Sequence, residues 1–546
     1  MSSINIISRR SFLHRTAGST AALAALTQMP FIFQRALAEG SIGKVGANGK
    51  VKKLLFIFLR GANDGLNNVL PYGDPAYNAT NRPTLRIEPD SGANWMSSGP
   101  AYFPQSGAAN AIYGPTPFGD AAQAYYGGLA LGNGFAALHP SLKFLAPVYL
   151  AGDLAILHRV GYPKQSRSHF DSQNYWETGA PRNGLVRDGI LYRAMVESGL
   201  TSTNALTGVS FQNALPLLLR GSQAAMTNLS DVTRYDLLGI PNPAGGAKAD
   251  AFLRAANTAE FAAKKNRDLL GLQYENLSNT LQLFADLRPQ FAAPYLDSEI
   301  TDGDEPYTLF PTSNETNGSW NKNRSANKYV VPTNSYEYFQ RLKNAAVILN
   351  KTDAIVAGTQ IDGWDTHSNQ GGETGNHANL LRRVGWSLYA LRKYFRQNAD
   401  KCAWEDVAVV TLSEFGRTTI ENDDAGTDHA EASVMYVAGG GIKGYRPAGN
   451  GQPARSAVFG ADPADPAAVR WQTGQTGSMF GVDSRYLKRA IDYRSVLGKL
   501  IRDHLGATSE QMGRIIARYN EPSERLVTGG VQAQDNTRVM GEPDLL

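Results

Sequence analysis

The chain has 546 residues, with 53 Lys and Arg against 49 Asp and Glu, a formal net charge of +4. So even a balance excludes the basic surface that nucleic-acid recognition needs. The single cysteine, Cys402, excludes intrachain disulfides, cysteine-ligated zinc, iron–sulfur clusters and CxxC redox chemistry.

Ser8-Arg9-Arg10-Ser11-Phe12-Leu13 follows the twin-arginine export pattern. An Ala-rich stretch comes next, and Ala36-Leu37-Ala38 resembles a cleavage site. Residues 1–38 therefore read as a signal peptide, which implies a periplasmic or secreted protein. No later run has the roughly 18 consecutive apolar residues of a membrane span. Residues 39–52 read as a flexible linker. Residues 53–527 form the main body, with polar insertions at about 72–137 and 295–334, and residues 528–546 read as a polar, loosely ordered tail.

Within the body, Lys53 to Leu59 (KLLFIFL) is a strand apolar on both faces, ending in the turn RGANDGLNN. Pro140 to Leu150 fits a short helix, and Leu154 to Val160 is a second strand. It runs into GYPKQSRSHFDSQNYWETG, a loop and helix start rich in Ser, His and Asp. Helical spacing appears over 250–290 and from Tyr336, where Phe339, Leu342, Ala346 and Leu349 share a face. Ile355 to Ile361 is a strand entering Gly-Trp-Asp-Thr-His. Val384, Leu388, Leu391 and Phe395 mark the next helix. Val407 to Leu412 enters SEFGRT, Val434 to Val437 follows GTDHA, and a late helix covers Tyr493 to Leu505. Strands alternating with helices predict an α/β fold with a mainly parallel central sheet and helices on both faces.

In such sheets ligands bind at the carboxyl ends of the strands. Asp64, Asp365, His367, Glu414 and His429 all sit in turns at predicted strand ends, and carboxylates with imidazoles are what a divalent metal needs. Asp428 stands beside His429 as a neighbour or outer-shell group. Ser166 and Ser168 lie at a helix start, where a serine either caps the helix or attacks an anion held by the free N–H groups. His169 is a ligand, an orienting group or a structural histidine. Glu414 and Arg417 alternatively form a plain ion pair.

The stretches LFIFLRGANDGLNNVLPYGDPAY, LHPSLKFLAPVY, SRSHFDSQNYWETG, GWDTHSNQG, VVTLSEFGRTTIEN and GTDHA resemble the twin-arginine-exported bacterial family known as domain-of-unknown-function family 1501. They run from about residue 53 to about residue 505. The resemblance implies the alkaline phosphatase-like superfamily, with its three-layer α/β sandwich and a metal site at the strand ends. It implies Asp64, Asp365, His367, Glu414 and His429 as metal ligands and Ser168, or Ser166, as nucleophile. In such a site His169 and Arg417 would stabilise charge on the transferring group. Two departures leave the number of metals open: the expected Asp-His doublet is Glu414-Phe415, and Asp365 and His367 are two residues apart instead of four. No sulfatase signature surrounds Ser168.

These readings combine into an exported hydrolase or transferase for phosphate-type, less readily sulfate, esters of small molecules or glycans. It would depend on zinc, manganese, iron or magnesium. The alternative is a catalytically decayed binding or assembly protein on the same fold, working with an exported protein partner.

Overall fold

A computed structural model describes residues 42–89, 127–202, 204, 206–230, 232, 268–302, 305–317, 330–470 and 485–546. The predicted signal peptide, the centre of the first insertion and part of the second lie outside the described residues.

A nine-stranded sheet organises the chain. Its strands are β1 (Lys53–Arg60), β2 (Leu154–Gly161), β3 (Gly208–Ser210), β4 (Thr227–Asn228), β5 (Val356–Asp362), β6 (Val407–Leu412), β7 (Ser433–Ala438), β8 (Val458–Phe459) and β9 (Ile491–Asp492), in the spatial order β8-β2-β7-β6-β1-β5-β3-β4 with β9 also on β2. All pairings are parallel except those of β7, which runs antiparallel to both β6 and β2. The architecture is thus mixed α/β with a mainly parallel central sheet.

Strand periodicity explains the two cores. In β1, Leu55, Ile57 and Leu59 join one buried cluster, and Leu54, Phe56 and Phe58 join the other. Besides the short helices Ala146–Leu150 and Ser509–Ile515, the described residues form α1 (His169–Thr178), α2 (Ile190–Ser198), α3 (Asp268–Ala292), α4 (Tyr336–Lys351), α5 (Asn376–Gln397) and α6 (Tyr493–Lys499). The first cluster takes in Phe339 and Leu342 of α4 and Val384 and Leu388 of α5. The second takes in Trp176 of α1, Ile190 of α2 and Val496 of α6. Helices therefore cover both faces of the sheet. Among the described residues no helix is long and apolar enough to cross a membrane.

Two expectations about order need correction. The predicted linker is packed from residue 42 onward: Ile42 and Val51 are buried, and Val45 pairs with Val51. The predicted loose tail is anchored by buried Val539 and Leu545, and Gly530–Val531 pairs with Arg538–Val539. In both segments a few apolar side chains reach the second core, which overrides polar composition. The insertions also contribute core. Leu85, Ile87, Leu129 and Phe135 are buried, and Leu129–Ala130 and Ala137–Leu138 pair in a small sheet with Val69–Leu70.

The reversed strand has a functional consequence. Ser433, the first residue of β7, pairs with Val160 near the carboxyl end of β2. Residues just before β7 therefore reach the same rim as the turns that follow β1, β2, β5 and β6.

Candidate metal centre

The rim is assembled by close backbone approach. Trp364 N–H donates to Arg60 O (3.2 Å) across the adjoining ends of β1 and β5. Gly61 has φ +118, and a Cβ there would stand 2.5 Å from the Asp365 nitrogen. A side chain at 61 would push the Asp365 turn outward. Gly416–Arg417 pairs antiparallel with His429–Ala430, which brings the turn after β6 against the segment leading into β7.

Three imidazoles and a carboxylate meet there. His169 Nε2 lies 3.1 Å from His429 Nε2, and His367 Nε2 lies 2.9 Å from it. Asp365 Oδ1 is 3.0 Å from His367 Nε2 and 3.1 Å from His429 Nε2, while Oδ2 is 3.3 Å from His169 Nε2. His169, Asp365 and His429 each offer a ligand atom within 4.8 Å of the other two, and His367 adjoins the Asp365–His429 side. For comparison, ligands about 2.1 Å from a tetrahedral ion stand roughly 3.4 Å apart.

The other ring nitrogens decide the chemistry. His169 Nδ1 meets Glu414 Oε1 (2.9 Å), His367 Nδ1 meets Asp428 Oδ1 (3.1 Å), and His429 Nδ1 meets Arg167 O (2.9 Å). Every one of these partners is an acceptor, so each Nδ1 has a place for its ring's proton, and a ring in that tautomer turns an Nε2 lone pair toward the cluster. In that tautomer three lone pairs and a carboxylate would face one point, an arrangement that a cation satisfies. Carboxylate or carbonyl anchors behind ligating histidines are the usual outer shell of a metal site. Phe415 forms a buried floor, its ring centroid 4.8 Å from those of both His169 and His429.

The electrostatics agree. Burial opposes ionisation of Asp365, but hydrogen bonding and charge from Arg417, with help from His429 and His367, hold its pKa at about 2. The hydrogen bond to Glu414 raises the pKa of His169. Desolvation lowers that of His429. Asp365 and His367 are each 45% exposed, so the cluster opens to solvent.

Of the predicted ligands, Asp365, His367 and His429 come together, and His169, expected to stabilise charge, joins them through Nε2. The structure gives the other four predicted residues different partners. Asp64 is completely buried, and its carboxylate is spoken for: Arg82 donates to Oδ2 (2.8 Å) and Oδ1 (3.1 Å), and Gln370 Nε2 donates to Oδ2 (2.6 Å). Glu414 stands behind His169, its Oε1 also accepting from Gly61 N–H (2.8 Å) and Gln173 (3.2 Å). Arg417 is no anion clamp. Its guanidinium donates to the carbonyls of Ala62 (2.9 Å), Thr427 (3.0 Å), Trp364 (3.2 Å) and Gly61 and to Asp365, so it staples the turns together. Ser168, the predicted nucleophile, is exposed and caps α1 by accepting from Asp171 N–H (3.4 Å), and Ser166 Oγ meets Asp171 Oδ2 (3.2 Å). Sequence reasoning missed Arg82 and Gln370 altogether, because an arginine in a polar insertion and a glutamine in a polar turn carry no distinguishing local pattern.

Fold and site together define an α/β protein with a histidine-rich cluster at the carboxyl rim of its sheet. A model of the family described as protein of unknown function (DUF1501) matches residues 320–458, the span that holds Asp365, His367, Glu414, Arg417 and His429, and it supports membership of that family. No curated protein and no solved structure matches the chain.

Proposed function

We propose that His169, Asp365, His367 and His429 bind a divalent cation, and that the protein is an exported metal-dependent hydrolase or transferase for phosphate-type esters on an alkaline phosphatase-like fold. One observation carries the cation: the Nε2 atoms of three histidines and a carboxylate converge while every Nδ1 meets an acceptor. Nitrogen-rich, cysteine-free ligation favours zinc, manganese or iron over magnesium. Bound there, the ion would supply Lewis acidity toward a phosphoryl oxygen.

The chain's own groups prepare the site. Arg417 keeps Asp365 ionised and fixes its turn. Glu414, Asp428 and the Arg167 carbonyl set the tautomers. The two most exposed members, Asp365 and His367, leave the cluster open to substrate from solvent. Elemental analysis of the purified protein, with and without Asp365→Ala, tests the cation, and a panel of phosphomonoesters, phosphodiesters and sulfate esters tests the chemistry. Metal-free wild-type protein would sink this reading.

A second reading is a cation-holding binding or assembly protein that lacks turnover. It is favoured by Ser168, which is engaged as a helix cap, and by Arg417, whose donors face carbonyls and Asp365. Stoichiometric metal with no turnover across the panel would select it.

A further inference from the structure

We propose that Gln370 is the positioning residue that locks the two ligand-bearing turns into one register and thereby sets cation affinity; this rests on reading the cluster as a cation site. Gln370 is completely buried. Its Oε1 accepts from Thr366 Oγ1 (2.8 Å) and from Thr427 Oγ1 (2.7 Å). Thr366 lies between Asp365 and His367, and Thr427 immediately precedes Asp428 and His429. One amide oxygen, with its two lone pairs both used, therefore ties together the segments carrying three of the four convergent donors. The backbone repeats the tie: Thr427 N–H donates to Thr366 O (3.1 Å), and Gln370 N–H donates to Ala425 O (3.0 Å).

The amide's orientation is set from below. Gln370 Nε2 donates to Asp64 Oδ2 at 2.6 Å, and a flipped amide would turn its oxygen against that carboxylate. Asp64 is kept anionic despite burial by the charge and hydrogen bonds of Arg82. Asp64 thus acts at the site through Gln370. Loss of the lock lets the two turns slide by a fraction of an ångström, which is enough to spoil convergent ligation.

The test measures zinc affinity by competition with a chromogenic chelator, and ligand geometry by the d–d absorption of the cobalt-substituted protein. Gln370→Leu, Thr366→Val and Thr427→Val are compared with Ser387→Ala in α5, which instead breaks a buried hydrogen bond to Tyr338 of α4. The expected result is an affinity loss of about tenfold for each threonine variant and about 10- to 100-fold for Gln370→Leu. The cobalt bands should shift, and the Thr366→Val, Thr427→Val double variant should be no worse than Gln370→Leu. Ser387→Ala should bind as wild type. If Gln370→Leu does not fold, the threonine variants carry the test. Wild-type affinity and unshifted bands in the threonine variants would overturn the lock while leaving the cation site standing. Wild-type protein that takes up neither zinc nor cobalt would overturn both.

Discussion

Two sets of histidines in this protein solve opposite problems. His139, His158, His377 and His504 are buried and spend Nε2 on a protein acceptor: the carbonyls of Gly372 (2.9 Å), Val69 (3.1 Å) and Lys53 (2.9 Å) for 139, 158 and 504, and Asn63 Oδ1 (3.2 Å) for 377. Burial lowers their pKa values to about 3 for His139 and His158 and about 4 for His377 and His504. His169, His367 and His429 at the rim do the reverse. They spend Nδ1 on the scaffold and leave Nε2 toward one another and Asp365. The difference teaches that the core four direct Nε2 into the scaffold, whereas the rim three direct Nδ1 there and keep Nε2 for the cluster.

Acid draws its largest stability cost from the buried set. Unfolded histidines take protons below about pH 6.5, while the buried ones stay neutral to about pH 3–4, so the unfolded state binds more protons and stability falls as pH drops. The full contribution is present above about pH 6.5. Each histidine adds a slope of up to about 1.4 kcal/mol per pH unit below it. Urea unfolding from pH 7 to pH 4 should show this loss, and His504→Gln should flatten the slope by one proton. A slope unaffected by that change would mean His504 is not held neutral.

Arg82→Met comes next. It strands the buried Asp64 carboxylate and should cost about 3–5 kcal/mol in urea unfolding. A cost near zero would show that Asp64 can find another counter-charge.

Histidine replacement draws the sharpest line between the sets. His429→Ala, at the centre of the cluster, should weaken zinc binding at least about 100-fold, or about 2.7 kcal/mol, with little change in metal-free stability. His504→Gln, beneath the start of β1, should leave zinc binding unchanged. Equal effects of the two on binding would dissolve the distinction.

The smallest effects come from the anchors. Glu414→Gln weakens the hold on His169 and should lower affinity about tenfold. Asp428→Asn should cost less, because Asp428 is 41% exposed and also shared with Arg485. Chelator competition ranks the two, and a reversed order would put the weight on His367.

Much of the frame was legible along the chain. Apolar runs such as KLLFIFL, short and bounded by Gly-rich turns, read as strands buried on both faces, and in the structure they alternate between two cores. Gly-marked turns beside those runs single out Asp365, His367 and His429 in the sequence alone. The short strands Gly208–Ser210, Thr227–Asn228 and Val458–Phe459 were not legible, because two or three residues show no period. Nor was the reversal of β7, which depends on which neighbours it finds and not on its own composition.

What the sequence by itself determined is the set of apolar strands and the polar turns at their ends, because side-chain periodicity and turn chemistry are local properties. What only the tertiary structure decided is the allotment of partners. Arg82 claimed Asp64, Glu414 took the back of His169, and carbonyls took Arg417. Such choices turn on ångström-scale distances between residues tens to hundreds of positions apart, and no local pattern encodes them.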